Sequence, residues 1–260
     1  MTVGEPAPSP LLDYEPQWQQ TLQWQPTPEQ QTLFQRVYEA ILQGNQQMNL
    51  TRLTDPDTFW EKHLWDSLSG LAPWLTSIGA PAWATARATA RVIDIGTGAG
   101  FPGLPAAIAF ESWQITLLDA TQKKVRFLTE SAESIGLKNV RAIADRAEFL
   151  AHQPSHREQY DLALLRAVGP VPTCLEYALP LVKVGGVAVL YRGQWSDEDS
   201  RNTAAVAQQL GGKLLSVASS QTPLTQGVRH CVYVGKHTLT NEDFPRLPGI
   251  PAKLPLTPQN

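Results

Sequence analysis

From Arg91 onward the sequence alternates short apolar runs with helical patterns, and this alternation constrains the fold more than any other feature. Strands that alternate with helices lie parallel in one sheet, with helices on both faces. No helix separates the last two strands, so we expect a hairpin whose final strand runs antiparallel. The pattern predicts a doubly wound α/β fold with a mostly parallel seven-stranded sheet. The predicted strands are 91–95, 114–118, 139–143, 161–165, 187–191, 213–218 and 229–235, and the predicted helices among them are 103–110, 122–135, 172–182 and 197–210.

The part of the chain before Arg91 is predicted to be helical. Thr27, Pro28 and Gln30 form a helix start, since Thr27 can cap, proline suits the first helical position and Gln30 can complete a capping box. A second helix is predicted over 56–74. We expect four regions: a disordered or loosely packed extension 1–26, with disorder over 1–10, a helical subdomain 27–90, the α/β domain 91–240 and an irregular, proline-rich tail 241–260.

Composition narrows the class of protein. Apolar residues make up 42% and charged residues 17% of the 260 residues, which is typical of a soluble globular protein. The net charge of −3 argues against a protein that coats nucleic acid non-specifically, but a local basic patch would suffice for an RNA substrate. Cys174 and Cys231 have no CxxC spacing, so we expect neither a disulfide framework nor a metal site. We also expect no membrane span, no signal peptide and a cytoplasmic, monomeric protein.

A glycine-rich loop follows the first predicted strand. Gly96, Gly98 and Gly100 alternate with small residues just before a helix. Glycines there let the backbone turn tightly and lie close to a ligand. Asp119 ends the next strand, at the position where a carboxylate can bond ribose hydroxyls. The combination predicts a cofactor that contains a nucleoside.

The glycines alone do not identify that cofactor. Gly98, Gly100 and Gly103 also fit the GxGxxG pattern of dinucleotide-binding proteins, which leaves a nucleotide-dependent oxidoreductase as an alternative. Asp94 favours S-adenosylmethionine, because a carboxylate beside the loop can receive the ammonium of a methionine moiety and would repel a pyrophosphate. The closing strand pair without a helix favours the same cofactor.

Several further segments carry a resemblance to a known family. They are Asn49–Thr51, His63–Ser67, Asp94–Gly103, Leu118–Asp119, Lys123–Leu128, Arg146–Glu148, Arg166–Val168 and Arg192–Gly193. In this order and spacing they resemble the RsmG (GidB) family of 16S ribosomal RNA methyltransferases, from about Thr27 to the tail. The resemblance implies a Rossmann-like class I methyltransferase fold and methylation of guanine N7 in the decoding region of small-subunit RNA. One departure is Arg192, where the family usually has lysine.

The resemblance also implies the positions of cofactor contacts. Together with Asp94, Gly98 and Gly100, the predicted cofactor-binding residues are Gly96, Phe101, Asp119, Ala120, Thr121, Ala147, Glu148 and Arg166. A non-catalytic ribosome-binding protein that keeps this fold remains an alternative, although the intact glycine loop and Asp119 argue against it.

Guanine N7 has a free lone pair and no proton, so its methylation requires no general base. The protein has to align N7, methyl and sulfur, which is catalysis by proximity and orientation. Arg166 ends the fourth strand, at the edge where open α/β sheets bind ligands. Asp66 could balance the positive charge of the methylated ring, and His63 lies one helical turn before it. We therefore predict His63, Asp66 and Arg166 as the catalytic group.

Basic residues predict an RNA-binding surface. Lys123, Lys124 and Arg126 lie at the start of a predicted helix, where positive charge opposes the helix dipole. Phosphate contacts would explain them, and solvated charges on a helix face are the alternative. Arg192 after the fifth strand is a further predicted contact. The expected partner is 16S ribosomal RNA or the small ribosomal subunit.

Overall fold

The computed structural model of the chain describes residues 10–76, 79–84 and 88–258 and has a seven-stranded sheet at its centre. The strand order is β3-β2-β1-β4-β5-β7-β6. The strands are β1 Arg91–Ile95, β2 Gln114–Asp119, β3 Val140–Ala144, β4 Tyr160–Arg166, β5 Val182–Arg192, β6 Gly212–Gln221 and β7 Val228–Lys236. β7 pairs antiparallel with both β5 and β6, and the pairs among β1 to β5 are parallel. The predicted fold class and the antiparallel last strand are confirmed.

Helices cover both faces of this sheet. They are α1 Glu15–Leu22, α2 Pro28–Asn45, α3 Pro56–Phe59, a π-helical segment Trp60–Trp65, α4 Asp66–Ser69, α5 Ala72–Leu75, α6 Gly103–Ala109, α7 Gln122–Ile135, α8 Ala147–Leu150, α9 Val171–Ala178, α10 Asp197–Gln209 and α11 Ile250–Lys253. Side chains of β4 alternate between the faces, with Leu162 and Leu164 in one core and Ala163 and Leu165 in the other. Burial on both faces explains the nearly continuous apolar runs of the central strands β1 and β4.

The boundary between the predicted helix 172–182 and the predicted strand 187–191 is wrong. The helix ends at Ala178, and β5 already begins at Val182. Glycines often end helices, but Gly185 and Gly186 lie inside β5. The register against β4 shifts between Tyr160 and Leu162, and Gly185 has φ +84°, so the glycines accommodate an irregularity in the strand.

The predicted helix 56–74 is also interrupted. α3, the π-helical segment Trp60–Trp65 and α4 follow one another without a break, and the chain turns before α5 begins. A π-helical turn changes which side chains share a face and is frequent at functional sites. We refer to residues 56–69 as the interrupted helix. It contains His63 and Asp66.

The extension before Thr27 packs more tightly than the sequence predicted. Trp18 of α1 is 3% exposed and lies in the same core as Phe34 and Trp60. The expected disorder of residues 1–10 falls almost entirely on residues outside those described. The proline-rich tail, expected to be irregular, contains the short helix α11.

The capping box at the start of α2 can be tested by substitution. The Thr27 side chain accepts a hydrogen bond from Gln30 N at 3.3 Å, and Gln30 Oε1 accepts one from Thr27 N at 2.9 Å, so the predicted capping box is confirmed. We expect Thr27→Ala to lower the free energy of unfolding by about 1 kcal/mol, because the backbone amide of Gln30 loses its side-chain acceptor. Urea denaturation measures the change.

Thr32→Ala is the matched control in the same helix. The Thr32 hydroxyl is exposed, and the hydrogen bond that it donates among the described residues goes to the carbonyl of Pro28, one turn earlier. Its loss should change stability by less than about 0.5 kcal/mol. Equal effects of the two substitutions would contradict the capping argument.

Candidate active site

The carboxyl ends of β1, β2 and β4 bring the predicted site residues to one edge of the sheet. The glycine loop follows β1, Asp119 ends β2 and Arg166 ends β4. Backbone amides of Gly96 and Thr97 bond to the carbonyl of Leu118, at 2.8 and 3.0 Å, which ties the loop to β2. This edge is where open α/β sheets bind their ligands.

The glycines of the loop are required for different reasons. Gly98 has φ +61°, and a Cβ atom there would meet only the carbonyl of Gly96, at 3.9 Å. Gly100 has φ +99°, and a Cβ atom there would lie 2.4 Å from Leu104 Cδ1. At Gly103 a Cβ atom would lie 2.2 Å from Leu117 Cδ2. Packing therefore requires glycine at 100 and 103, whereas Gly98 leaves open space beside the backbone.

Asp119 fixes the same loop. Its Oδ2 accepts a hydrogen bond from Gly98 N at 3.0 Å, and its Oδ1 accepts one from Thr121 N at 2.8 Å. Lys124 Nζ lies 3.9 Å from Oδ2. Each carboxylate oxygen can accept more than one hydrogen bond, so Asp119 retains capacity for ligand hydroxyls.

Asp94 is fully buried beneath the loop. Its Oδ2 accepts hydrogen bonds from Thr97 Oγ1 at 2.6 Å and from Gly103 N at 2.8 Å, which anchors the start of α6. Burial raises its pKa to about 6, although these hydrogen bonds and the charge of Arg166 act in the opposite direction. Among the described residues Oδ1 has no hydrogen-bond partner. An unsatisfied buried acceptor is costly, so this atom fits a cationic donor such as an ammonium group.

A cavity of about 130 Å³ lies beside the glycine loop. Its lining residues are Ile95, Gly96, Leu118, Asp119, Ala120, Asp145, Arg146, Ala147, Glu148, Val168 and Tyr177. Five of the predicted cofactor-binding residues are among them, and Tyr177 on α9 is one that sequence reasoning missed. Larger cavities, of about 470 and 520 Å³, lie beside the N-terminal helices and away from this loop. We assign the ligand to the smaller one because it adjoins Asp119 at the carboxyl edge.

Glu148 lies in the wall of this cavity and is held there by hydrogen bonds. The side chain belongs to α8 and is 2% exposed. Its Oε1 accepts hydrogen bonds from Arg146 NH2 at 2.7 Å and from Gly249 N at 2.9 Å. Burial alone would raise the pKa of Glu148, but these donors outweigh it and lower the pKa below its usual value.

The three predicted catalytic residues meet at the other side of the glycine loop. Arg166 NH1 donates to Asp66 Oδ2 at 3.0 Å and to the carbonyl of Lys62 at 2.6 Å. Arg166 NH2 lies 3.3 Å from His63 Nδ1. The Arg166 guanidinium also lies over the ring of Phe101, 5.6 Å from its centroid. Arg166 thus connects β4, the interrupted helix and the glycine loop.

His63 is a neutral residue in this cluster. Its ring stacks on Phe101 with centroids 4.5 Å apart, and its Nε2 lies 2.9 Å from Thr51 Oγ1. Burial and the charge of Arg166 lower its pKa to about 3. Because Arg166 donates to Nδ1, we assign the ring proton to Nε2. The imidazole is therefore uncharged at neutral pH.

Asp66 has a second arginine partner that sequence reasoning missed. Arg229 Nε on β7 donates to Asp66 Oδ1 at 3.0 Å, so both carboxylate oxygens are engaged by guanidinium groups. Arg229 lies 163 residues from Asp66, and no spacing rule could have paired them. Only the position of β7 inside the sheet indicates that its first residues reach this edge.

The predicted RNA-binding residues do not form a single free patch. Lys123 Nζ donates to the carbonyl of Gln47, Lys124 approaches Asp119, and Arg126 is exposed. Arg192 donates to the carbonyl of Gly169 at 2.8 Å and to Cys174 Sγ at 3.1 Å. RNA contact by these residues stays a prediction.

Among the described residues, no group of three or more His, Cys, Asp or Glu side chains is arranged to hold a metal ion. No helix in the same part of the chain combines the length and apolar character needed to cross a membrane.

Comparison with known proteins agrees with this geometry. A solved structure described as MtNAS in complex with MTA and tNA matches 80% of this chain and 71% of its own, with a TM-score of 0.51 and 13% identity. At that identity the likeness supports the fold alone. A relative from Nostoc sp. (strain PCC 7120), named ribosomal RNA small subunit methyltransferase G, is 51% identical over 92% of this chain and 96% of its own length. A relative of the same name from Thermosynechococcus vestitus is 52% identical over 87% of this chain and 96% of its own.

The family model described as rRNA small subunit methyltransferase G matches residues 30–231, which include the interrupted helix, the glycine loop and Arg229. With this match and these relatives, the chain belongs to the rRNA small subunit methyltransferase G family.

Proposed function

We propose that the protein transfers the methyl group of S-adenosylmethionine to N7 of a guanine in the decoding region of 16S ribosomal RNA. The observation that carries this proposal is the glycine loop, whose Gly98 amide is held by Asp119 beside a cavity at the carboxyl edge. Family membership supports the reaction class. No observation favours the oxidoreductase or the non-catalytic alternative.

The residues present fit this cofactor. Asp119 would accept hydrogen bonds from the ribose hydroxyls, and Ile95, Leu118 and Val168 offer apolar surface to the adenine. The unpartnered Oδ1 of Asp94 suits the ammonium of the methionine moiety, directly or through water. When bound, the cofactor supplies an electrophilic methyl group on a sulfonium.

The chain itself provides orientation and charge. Arg166, Arg229 and Asp66 together carry one net positive charge beside the glycine loop. That surplus favours an RNA phosphate over a cationic methylated base, so we assign Asp66 to positioning the two arginines. Neutral His63, packed on Phe101, holds the loop against the interrupted helix. No residue needs to remove a proton from guanine.

The proposed partner is ribosomal RNA of the small subunit, free or assembled. The monomeric state and the cytoplasmic location stay predictions.

Gly98→Val should abolish binding of S-adenosylmethionine. The new side chain would project into open space beside the loop and would strain a residue at φ +61° by about 1–2 kcal/mol. Gly136→Val is the control, since Gly136 has φ +91°, open space around it and no place in the cavity. Calorimetry should show cofactor binding in the control and none in Gly98→Val. Normal binding in Gly98→Val would remove the loop from the site.

Cofactor affinity should rise with pH through about 6, the pKa of Asp94. The ionised carboxylate attracts the ammonium, so the dissociation constant should fall about tenfold between pH 5 and pH 7.

The stability of the protein without cofactor should instead decrease as the pH rises. A raised carboxyl pKa stabilises the fold below the usual value of 3.8, and this contribution is lost as the pH rises through about 6. Asp94→Asn should flatten both profiles.

Arg166→Lys should reduce methyl transfer by about 100-fold, because lysine keeps the charge but loses the planar fork that spans Lys62, Asp66 and the Phe101 ring. The assay incubates small-subunit RNA with protein and S-adenosylmethionine and maps the methyl group by mass spectrometry. Wild-type protein should yield one N7-methylguanine. The circular dichroism spectrum should stay near wild type, and undiminished turnover would make Arg166 a structural residue only.

A further inference from the structure

The C-terminal tail lies outside the matched residues 30–231 and packs behind the cavity. Arg157 donates to the carbonyls of Thr240 and Phe244, at 2.8 and 2.9 Å. Thr173 Oγ1 on α9 donates to the carbonyl of Pro251 at 2.8 Å. The tail is therefore docked along much of its length, against the elements that carry Glu148 and Tyr177.

An ion pair anchors the tail to α9. Arg246 donates to the Glu176 carboxylate with its backbone N at 2.9 Å, with Nε at 2.9 Å and with NH2 at 2.7 Å. Glu176 is fully buried, and Arg246 supplies each hydrogen bond that the described structure gives to its carboxylate. A buried carboxylate depends strongly on such a partner. Tyr177, the next residue, lines the cavity.

Three residues beyond this anchor, Gly249 reaches the cavity wall. Its amide donates to Glu148 Oε1, the oxygen that also accepts from Arg146. Gly249 has φ +84°, with nothing within 4 Å of a Cβ atom built there. Glycine therefore suits the turn that aims the amide at Glu148, and no side chain competes for that space.

We propose that the tail is a working part of the cofactor site: Arg246 and Gly249 hold Tyr177 and Glu148 in position in the cavity wall, and thereby set the affinity for the adenosine half of S-adenosylmethionine. They are positioning residues, because they act through Glu148 and Tyr177. The identity of the cofactor rests on the proposed function; the dependence of the cavity wall on the tail rests on the contacts above.

The first test compares two glycines in the full-length protein. Gly249→Ala and Gly136→Ala place the same side chain at φ +84° and φ +91°, each in open space. The backbone strain should be similar, but only Gly249 contacts the cavity wall. We expect Gly249→Ala to weaken binding of S-adenosylmethionine about five- to tenfold, the factor that a strain of roughly 1 kcal/mol can produce. Gly136→Ala should stay within about twofold.

The second test identifies the half of the cofactor that is affected. Binding of methylthioadenosine, which lacks the amino-acid end, should weaken in Gly249→Ala by the same factor as binding of S-adenosylmethionine. The KM for the cofactor should rise while the KM for RNA stays constant. A loss confined to S-adenosylmethionine, or an equal rise in both KM values, would overturn the proposal.

Substitutions of Arg246 provide an independent test of the role of the tail. Arg246→Ala should weaken cofactor binding at least as much as Gly249→Ala, and Arg246→Lys should restore part of it, since lysine keeps the charge opposite Glu176. If Arg246→Ala does not fold, Arg246→Lys and Gly249→Ala still decide the matter. Thr27→Ala serves as a control that is destabilised far from the cavity and should bind cofactor normally.

A double-mutant cycle tests the route through Glu148. In a Glu148→Ala background, Gly249→Ala should have little further effect on cofactor affinity. Additive losses would show that Gly249 does not act through Glu148. If wild-type protein binds no S-adenosylmethionine, the proposed function fails. If wild type binds it and Gly249→Ala binds it equally well, only the role of the tail fails.

Discussion

The buried carboxylate of Asp94 is the constraint on which the arrangement at the carboxyl edge depends. It lies where β1 gives way to the glycine loop, and its Oδ2 binds both Thr97 in the loop and the first amide of α6. The loop cannot move without breaking a hydrogen bond to a fully buried charge, which is costly. Asp119 restrains the other side of the loop through the Gly98 amide. Two carboxylates on neighbouring strands thus hold the backbone in a shape that leaves room for a ligand.

The N-terminal helices hold one side of this arrangement in place. They share a hydrophobic core with one face of the sheet, so the interrupted helix is fixed relative to β4 and β7. That packing brings Asp66 between Arg166 and Arg229 and stacks His63 on Phe101. A low-dielectric surrounding strengthens these charge contacts and lowers the pKa of His63. Under the proposed function, methyl transfer to a guanine lone pair would depend on this orientation and on no titrating base.

The opposite face of the sheet supports the wall of the cavity beside the glycine loop. α8 and α9 pack there in a second core, and their charged residues are satisfied largely by the tail. Glu148 and Glu176 are both almost completely buried, and each accepts hydrogen bonds from residues beyond 245. The two sides of the glycine loop therefore depend on opposite ends of the chain.

The sequence by itself determined the features that are local. Periodicity predicted the seven strands. Residue types identified the capping box at Thr27 and the glycine loop, and the distance from the loop to Asp119 predicted a nucleoside cofactor. These signals reside within a few neighbouring residues or in regular spacing. The tertiary structure alone decided the partner of each charge. Asp66 and Arg229 are 163 residues apart, and Glu148 and Gly249 are 101 apart. It also decided that Trp18 and Leu22 of α1 are buried and that Gly185 lies within a strand. Burial and long-range pairing depend on how distant elements pack, which no local pattern records.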